Sequence, residues 1–138
     1  MKFIISLIAL AGVALAQSAD IGLPKENQKV IAGEDVVVQV QRPNTLTGSE
    51  EINVSIGFTS CPNGGCPPAE EELGTVVYSG SFTPEYHESP LPPYENFTVK
   101  VPSSFAQGKA QVNVAHFALV GASNVPLFEP LNQTIIVA

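Results

Sequence analysis

Basic residues are scarce in this chain of 138 residues, which contains six Lys and Arg against thirteen Asp and Glu. A surface so short of positive charge disfavours nucleic acids and anionic membrane surfaces as partners, because both attract proteins through Lys and Arg. Tryptophan is absent and cysteine occurs only twice. The sequence therefore also lacks the Cys…Trp…Cys core that characterises antibody domains.

The first residues have the features of a cleavable secretory signal peptide. Lys2 precedes an apolar run over residues 3–13, and the Ala-Leu-Ala sequence at residues 14–16 offers the small residues that signal peptidase requires. A membrane-spanning helix needs about 20 apolar residues, and this run is too short to be one. We predict that residues 1–16 are removed and that the protein is secreted to the extracellular space, without a membrane span.

Cleavage before Gln17 leaves one domain, residues 17–138, which is long enough for its own hydrophobic core. A cut after Ala19 is the alternative, and it is disfavoured because Gln17 would then occupy a position where signal peptidase prefers a small residue. Loss of Lys2 leaves five basic residues against thirteen acidic ones, a net charge of −8.

The two cysteines lie close together, in the segment Cys-Pro-Asn-Gly-Gly-Cys that runs from Cys61 to Cys66. In an oxidising compartment this spacing predicts a disulfide that closes a tight local loop. A zinc site would need four ligands, and a redox motif would have two residues between the cysteines where this segment has four. The structural disulfide is therefore the favoured interpretation.

Three Asn-x-Ser/Thr sequons indicate N-glycosylation in a secreted protein. They begin at Asn53, Asn96 and Asn132. In each, the Asn and the Ser or Thr share the polar face of an alternating segment, which is where a strand is able to carry a glycan. We predict that at least one is occupied in a host that glycosylates.

Alternation of apolar and polar residues predicts a domain built from strands. In the clearest case Ile52, Val54, Ile56 and Phe58 alternate with polar or small residues, so that one face of the strand is apolar. The other predicted strands cover residues 21–23, 36–41, 74–82, 96–101, 110–120 and 134–137.

Helix is disfavoured because twelve prolines and eleven glycines are spread along the chain. The one helical candidate is 69–73, and its three glutamates, residues 70–72, are most simply a solvated turn rather than paired catalytic carboxylates. About seven short strands with turns between them predict an all-β, immunoglobulin-like β-sandwich. A small β-barrel is the alternative.

Histidine, the side chain that titrates nearest neutral pH, occurs twice. His116 is in phase with the apolar residues of its predicted strand, and we predict that it lies in the core or at an edge with one hydrogen-bond partner. His87 lies between Glu85 and Glu88, a set able to ligate a divalent metal. The prolines that follow favour an extended, solvated connection over the rigid element that a metal site needs.

Sequence motifs for catalysis are missing. The chain has no Gly-x-Ser-x-Gly elbow and no Gly-rich phosphate-binding loop. A histidine-brace copper oxygenase needs His as the first mature residue, and the predicted first residue is Gln17. We expect a protein that is not an enzyme and that uses no cofactor or metal. A metal-dependent secreted enzyme is the less favoured alternative.

Aromatic residues and prolines are concentrated in one stretch, residues 86–94. Aromatic rings on a stiff loop are good anchors for a partner, whereas the simpler interpretation is that they cover one end of the sandwich. We predict that Tyr86, His87 and Tyr94 contact a partner.

Several segments, in their order and spacing, resemble the necrosis-inducing secreted protein family of fungal effectors. These segments are residues 31–33, 55–58, 73–75, 96–99, 101–102, 108, 117–122 and 132–134. The resemblance implies an immunoglobulin-like fold, no known catalysis, and suppression of plant pattern-triggered immunity through binding of receptor-associated kinases.

Two features depart from the family pattern, the loop at residues 61–66 and the proline-rich stretch at residues 86–94. They leave the identity of the partner open. An extracellular or cell-wall-associated binding module without a host target is the alternative function.

Overall fold

The computed structural model describes residues 18–42 and 48–138. The predicted signal peptide, residues 1–16, and the predicted first mature residue, Gln17, lie outside the described residues, so both stay predictions. The described part of the chain forms eight strands and no helix, and it confirms the all-β class. The strands are β1 (Asp20–Leu23), β2 (Gln28–Val30), β3 (Asp35–Gln41), β4 (Ser49–Ser60), β5 (Thr75–Gly80), β6 (Tyr94–Lys100), β7 (Gly108–Val120) and β8 (Val125–Val137).

The strands form a two-sheet sandwich. One sheet has three strands in the order β1-β3-β6, and the other has five in the order β2-β8-β7-β4-β5. All pairs of neighbours are antiparallel except β2 and β8, which run parallel. The chain thus crosses from one sheet to the other between β1 and β2. This order is that of an immunoglobulin-like sandwich, and it confirms the predicted fold with eight strands in place of about seven.

The core lies between the sheets and is built mainly from valine and isoleucine. Val38 on β3, Ile56 and Phe58 on β4, and Val114 on β7 are completely buried. Each such side chain stabilises the fold by roughly 1.5–3 kcal/mol relative to an exposed position. The alternation in the sequence of β4 therefore places Ile56 and Phe58 correctly on the inner face.

The strand β4 departs from regular alternation at one residue. Its pairing with β7 shifts register between Glu51 and Asn53, which marks a β-bulge. Ile52, predicted to share the buried face of Val54, is instead 47% exposed. The bulge reverses the expected orientation at this end of β4, and the Glu51 carboxyl group is buried in place of the isoleucine.

The strand β8 is much longer than the predicted segment 134–137. It begins at Val125 and includes Pro126 and Pro130, which interrupt the strand pattern in the sequence. The parallel partner β2 pairs only with the last part of β8, from Ile135 onward. The N–H groups of a strand alternate between its two edges, so two prolines four residues apart lack an N–H on the same edge. At these residues β8 has no partner strand along that edge.

The helical candidate at residues 69–73 is a turn. The backbone N–H groups of Glu71 and Glu72 both donate to the carbonyl oxygen of Pro68, and the chain then continues to β5 without a helix. All three glutamates of residues 70–72 are exposed. The interpretation as a solvated turn is confirmed.

The β4–β5 connection, residues 61–74, folds over one end of the outer face of the five-stranded sheet. The predicted disulfide between Cys61 and Cys66 is present, with Cα atoms 5.2 Å apart. The Gln111 amide donates to the carbonyl oxygen of Pro67 at 2.8 Å, and the Asn113 amide donates to that of Leu73 at 3.1 Å. Two outward-facing polar residues of β7 therefore fix this connection against the sheet.

Candidate functional site

The proline-rich stretch lies in the β5–β6 loop, residues 81–93. Glu85, near the start of the loop, and Tyr94, the first residue of β6, form an isolated antiparallel bridge, with N–H to carbonyl distances of 3.1 Å and 2.9 Å. The N–H of Thr83 donates to the Glu95 carboxylate at 2.8 Å, and the N–H of Arg42 donates to the carbonyl oxygen of Pro93 at 2.8 Å. The first part of the loop is therefore held against β6, and its last residue is held beside the end of β3.

Tyr94 supports this loop from inside. Only 7% of the residue is exposed. Its hydroxyl donates to the two carboxylate oxygens of Glu88 at 2.9 Å and 3.0 Å, and its ring stacks on His87 with centroids 4.1 Å apart. The hydrogen bond to Glu88 raises the pKa of Tyr94, because the carboxylate disfavours a phenolate beside it. Of the three predicted contact residues, Tyr94 is therefore a buried residue that stabilises the loop.

The exposed side of the loop offers an apolar contact surface. Tyr86 is 67% exposed, and Leu91 is also exposed. These two residues and those between them line a shallow concavity of about 380 Å³. The N–H of Leu91 donates to the carbonyl oxygen of Glu88 at 3.0 Å, so the rim of the concavity is held by the backbone.

The metal hypothesis for Glu85, His87 and Glu88 finds no geometric support. Glu88 accepts the Tyr94 hydroxyl, and the His87 ring packs flat against the Tyr94 ring. Across residues 18–42 and 48–138, no set of three or more His, Cys, Asp or Glu side chains converges in an arrangement suited to a metal ion.

The part of the chain that the structure describes also contains no helix long and apolar enough to cross a membrane.

A buried charged cluster near the N-terminal end of β4 was not predicted from the sequence. His116 on β7 is 2% exposed, its Nδ1 lies 3.0 Å from a carboxylate oxygen of Glu129 on β8, and its Nε2 contacts the carboxylate of Glu51. The prediction of a core histidine is confirmed, but the ring has two partners rather than one. The same Glu129 oxygen accepts the backbone N–H of Ala19 at 3.1 Å.

The cluster keeps His116 protonated. Burial lowers the pKa of the ring, but the hydrogen bonds that the ring donates to Glu129 and Glu51 outweigh it and raise the pKa to about 9. As an imidazolium the ring donates from both nitrogens, one to each carboxylate. A charged histidine held in this way is a poor general base.

Comparison with protein families matches residues 14–136 to the Nis1 family, which covers nearly the whole sequence. The chain belongs to the Nis1 family. This agrees with the resemblance to necrosis-inducing secreted proteins of fungi that was drawn from the sequence. No curated protein gives a significant match.

The β5–β6 loop of this Nis1 family member carries only negative charge. The sequence contains no Lys or Arg between Arg42 and Lys100, while Glu85, Glu88 and Glu95 lie in or beside the loop. A partner that binds here needs a complementary surface, which is basic around an apolar centre.

The three sequons of the Nis1 family chain differ in exposure. Asn96 on β6 and Asn132 on β8 are exposed, whereas Asn53 on β4 is half-buried. Asn96 also borders a second concavity of about 330 Å³ that includes His87 and Tyr94. Occupancy of the sequons stays a prediction.

Proposed function

We propose that this Nis1 family protein is a secreted effector that acts by binding a protein partner, without catalysis, through the β5–β6 loop. The observation that carries the proposal is the exposed ring of Tyr86 on a loop that is fixed at both ends. Membership of an effector-like family supports the biological role.

The order of the loop favours binding. Four prolines and the hydrogen bonds of Tyr94 and Leu91 restrict the loop before any partner arrives. A restricted loop loses less conformational entropy on association, so more of its contact energy appears as affinity. Large exposed side chains in such positions are the usual energetic centres of protein interfaces.

The class of partner that we propose is a plant receptor-associated kinase, as the family resemblance implies. The acidic loop adds a physical requirement, namely a basic patch on the kinase that surrounds an apolar recess for Tyr86. Binding that weakens at high salt would support this charge complementarity, because exposed charges are screened within about 10 Å at 0.1 M ionic strength.

The test is a binding measurement with protein secreted from the full-length chain. The parent and a Tyr86→Ser, Leu91→Ser variant are compared against plant receptor-kinase ectodomains and kinase domains on a biosensor. We expect the variant to bind at least about tenfold more weakly. Its melting temperature should stay that of the parent, because both side chains are exposed.

Val125→Ser is the matched control, because Val125 is also exposed and apolar but lies at the start of β8. It should bind as the parent does. Equal binding by the loop variant would place the contact surface elsewhere. Binding to cell-wall polysaccharides and to no kinase would favour the wall-associated alternative, and turnover of a substrate that a chelator abolishes would overturn the non-catalytic mechanism.

A further inference from the structure

An exposed aromatic pair lies on the outer face of the five-stranded sheet. Phe117 on β7 is 41% exposed and Phe128 on β8 is 52% exposed. The two residues are opposite each other in the β7–β8 pairing, and their ring centroids are 4.8 Å apart. Isolated exposed apolar residues are normal, but two phenylalanines in contact form a patch that favours being covered.

The other end of this face is already covered. There the connection of residues 61–74 lies over β7, and Asn113, which faces outward, is completely buried beneath it. The connection does not extend to the aromatic pair, which remains exposed. Any group that covers Phe117 and Phe128 therefore comes from outside this connection.

A sequon lies in the same row of residues. Asn53 on β4 is the direct cross-strand partner of Phe117, which in turn is the partner of Phe128. The Asn53 side chain points to the outer face, where its oxygen accepts the Ser55 hydroxyl at 3.5 Å. Directly opposite side chains in an antiparallel pair have Cβ atoms about 5 Å apart. The first sugar on Asn53 would therefore be attached beside the Phe117 ring.

We propose that an N-glycan on Asn53 folds back along this row and packs on Phe117 and Phe128. In the secretory pathway the transfer joins C1 of the glycan to Asn53 Nδ2, with release of the lipid pyrophosphate carrier and of one Nδ2 proton. The ring C–H groups of the sugar cover the aromatic faces, while its hydroxyls remain in water. Because the glycan is tethered, this contact does not incur the entropy loss of bimolecular association.

Of the other two sequons, Asn132 provides a matched control within the chain. Its cross-strand partner is Asn113, and it is exposed. A glycan on Asn132 lacks the aromatic support that Asn53 has. Asn96 pairs with Gln39 but borders the concavity that contains His87 and Tyr94, so it is not used as a control.

The test uses the full chain, secreted from a glycosylating host, as parent, Asn53→Gln and Asn132→Gln. Intact mass counts the glycans. We expect Asn53→Gln to lose one glycan and to melt about 4 °C lower, which is the scale of one aromatic contact in a domain of this size. Asn132→Gln should leave the melting temperature nearly unchanged. In unglycosylated protein from a bacterial host, Asn53→Gln should also be neutral, which separates the glycan from the asparagine itself.

A second measurement tests the contact directly. After trimming to a single N-acetylglucosamine, the acetyl methyl proton of the sugar on Asn53 should resonate upfield, because it lies over an aromatic ring. The shift should be absent in Phe117→Ser, and in that background Asn53→Gln should have no further effect on melting.

Four results would overturn the proposal. They are an Asn53 without glycan, equal melting shifts for Asn53→Gln and Asn132→Gln, an unshifted acetyl methyl proton, and a dimer of the parent that Phe117→Ser dissociates. The last would mean that a second copy of the chain covers the aromatic pair.

Discussion

The imidazolium of His116 should make the stability of the domain fall as the pH rises above neutral. The ring is buried between Glu129 and Glu51, and the pKa in the folded protein is raised from 6.5 to about 9. The folded state therefore holds its proton more tightly than the unfolded state does. The resulting stabilisation is fully present below about pH 6.5, declines above it, and is lost once the pH passes about 9.

The magnitude follows from the size of the pKa shift. One pKa unit corresponds to about 1.4 kcal/mol, so a shift from 6.5 to about 9 is worth about 3 kcal/mol. This is a large part of the stability of a small domain, which lies at about 5–15 kcal/mol. The melting temperature should fall by about 10 °C over the same range, given roughly 4 °C per kcal/mol.

The assay is chemical denaturation between about pH 6 and about pH 9, with the parent and His116→Gln compared at each pH. Glutamine is polar and cannot titrate, so the variant should be less stable than the parent near pH 6 and should lose this pH dependence. Groups that lie away from the cluster are present in both proteins, and their titration cancels in the difference. Glu129→Gln leaves one carboxylate beside the ring and should reduce the slope without abolishing it.

Parallel pH profiles for the parent and His116→Gln would refute this reasoning. A parent protein that became more stable toward about pH 9 would refute it as well, because a raised pKa has the opposite sign. Titration of the imidazole by NMR gives an independent check, and a value below 6.5 would mean that burial outweighs the two carboxylates.

Replacing Cys61 and Cys66 by serine should lower the free energy of unfolding by only about 2 kcal/mol, because the disulfide closes a very short loop. Denaturation curves measure this change. Free thiols in the parent protein would contradict the pairing. Secreted protein should retain Ala19, which is buried and donates its N–H to the carboxylate that also holds the core histidine. A chain that begins at Asp20 should be about 1–2 kcal/mol less stable, and N-terminal sequencing that found Asp20 on protein of full stability would contradict this.

The sequence alone was sufficient to predict the strands in which apolar and polar residues alternate regularly. Val54, Ile56 and Phe58 are each buried as predicted, because burial of one face leaves a period of two in the sequence. The three-residue strand β2 left no such signal, because only Val30 of its residues is buried. A parallel edge strand this short depends on its position beside β8 and not on its own pattern.

The charged cluster could not be predicted because it depends on one inserted residue. Strict alternation from Val54 places Ile52 inside and Glu51 outside, and the bulge exchanges them. Glu51 then meets a histidine 65 positions later in the sequence. The one available signal was an unexplained in-phase histidine at position 116, since a buried imidazole needs a partner that the sequence did not identify.

The burial of Tyr94 also could not be predicted from the sequence. A tyrosine among prolines is equally consistent with an exposed anchor and a buried support, because its ring is apolar and its hydroxyl needs only one partner. The structure provides that partner in Glu88 and covers the ring. Tyr86 and His87 are the exposed members of the predicted set, but the His87 ring is stacked on Tyr94. For this reason the binding test uses Tyr86 with Leu91.

The charged cluster and the β5–β6 loop are connected through one ring. Phe82, buried at the start of the loop, packs edge-on against His116 with centroids 5.6 Å apart and also contacts Phe97 on β6. A change in the charge of His116 would therefore act on the base of the proposed binding loop. Because the pKa of His116 is about 9, the ring stays charged from mildly acidic to neutral pH. The titration of His116 should therefore contribute no pH dependence to partner binding below about pH 7. In this range we expect the cluster to stabilise the loop and not to act as a pH sensor.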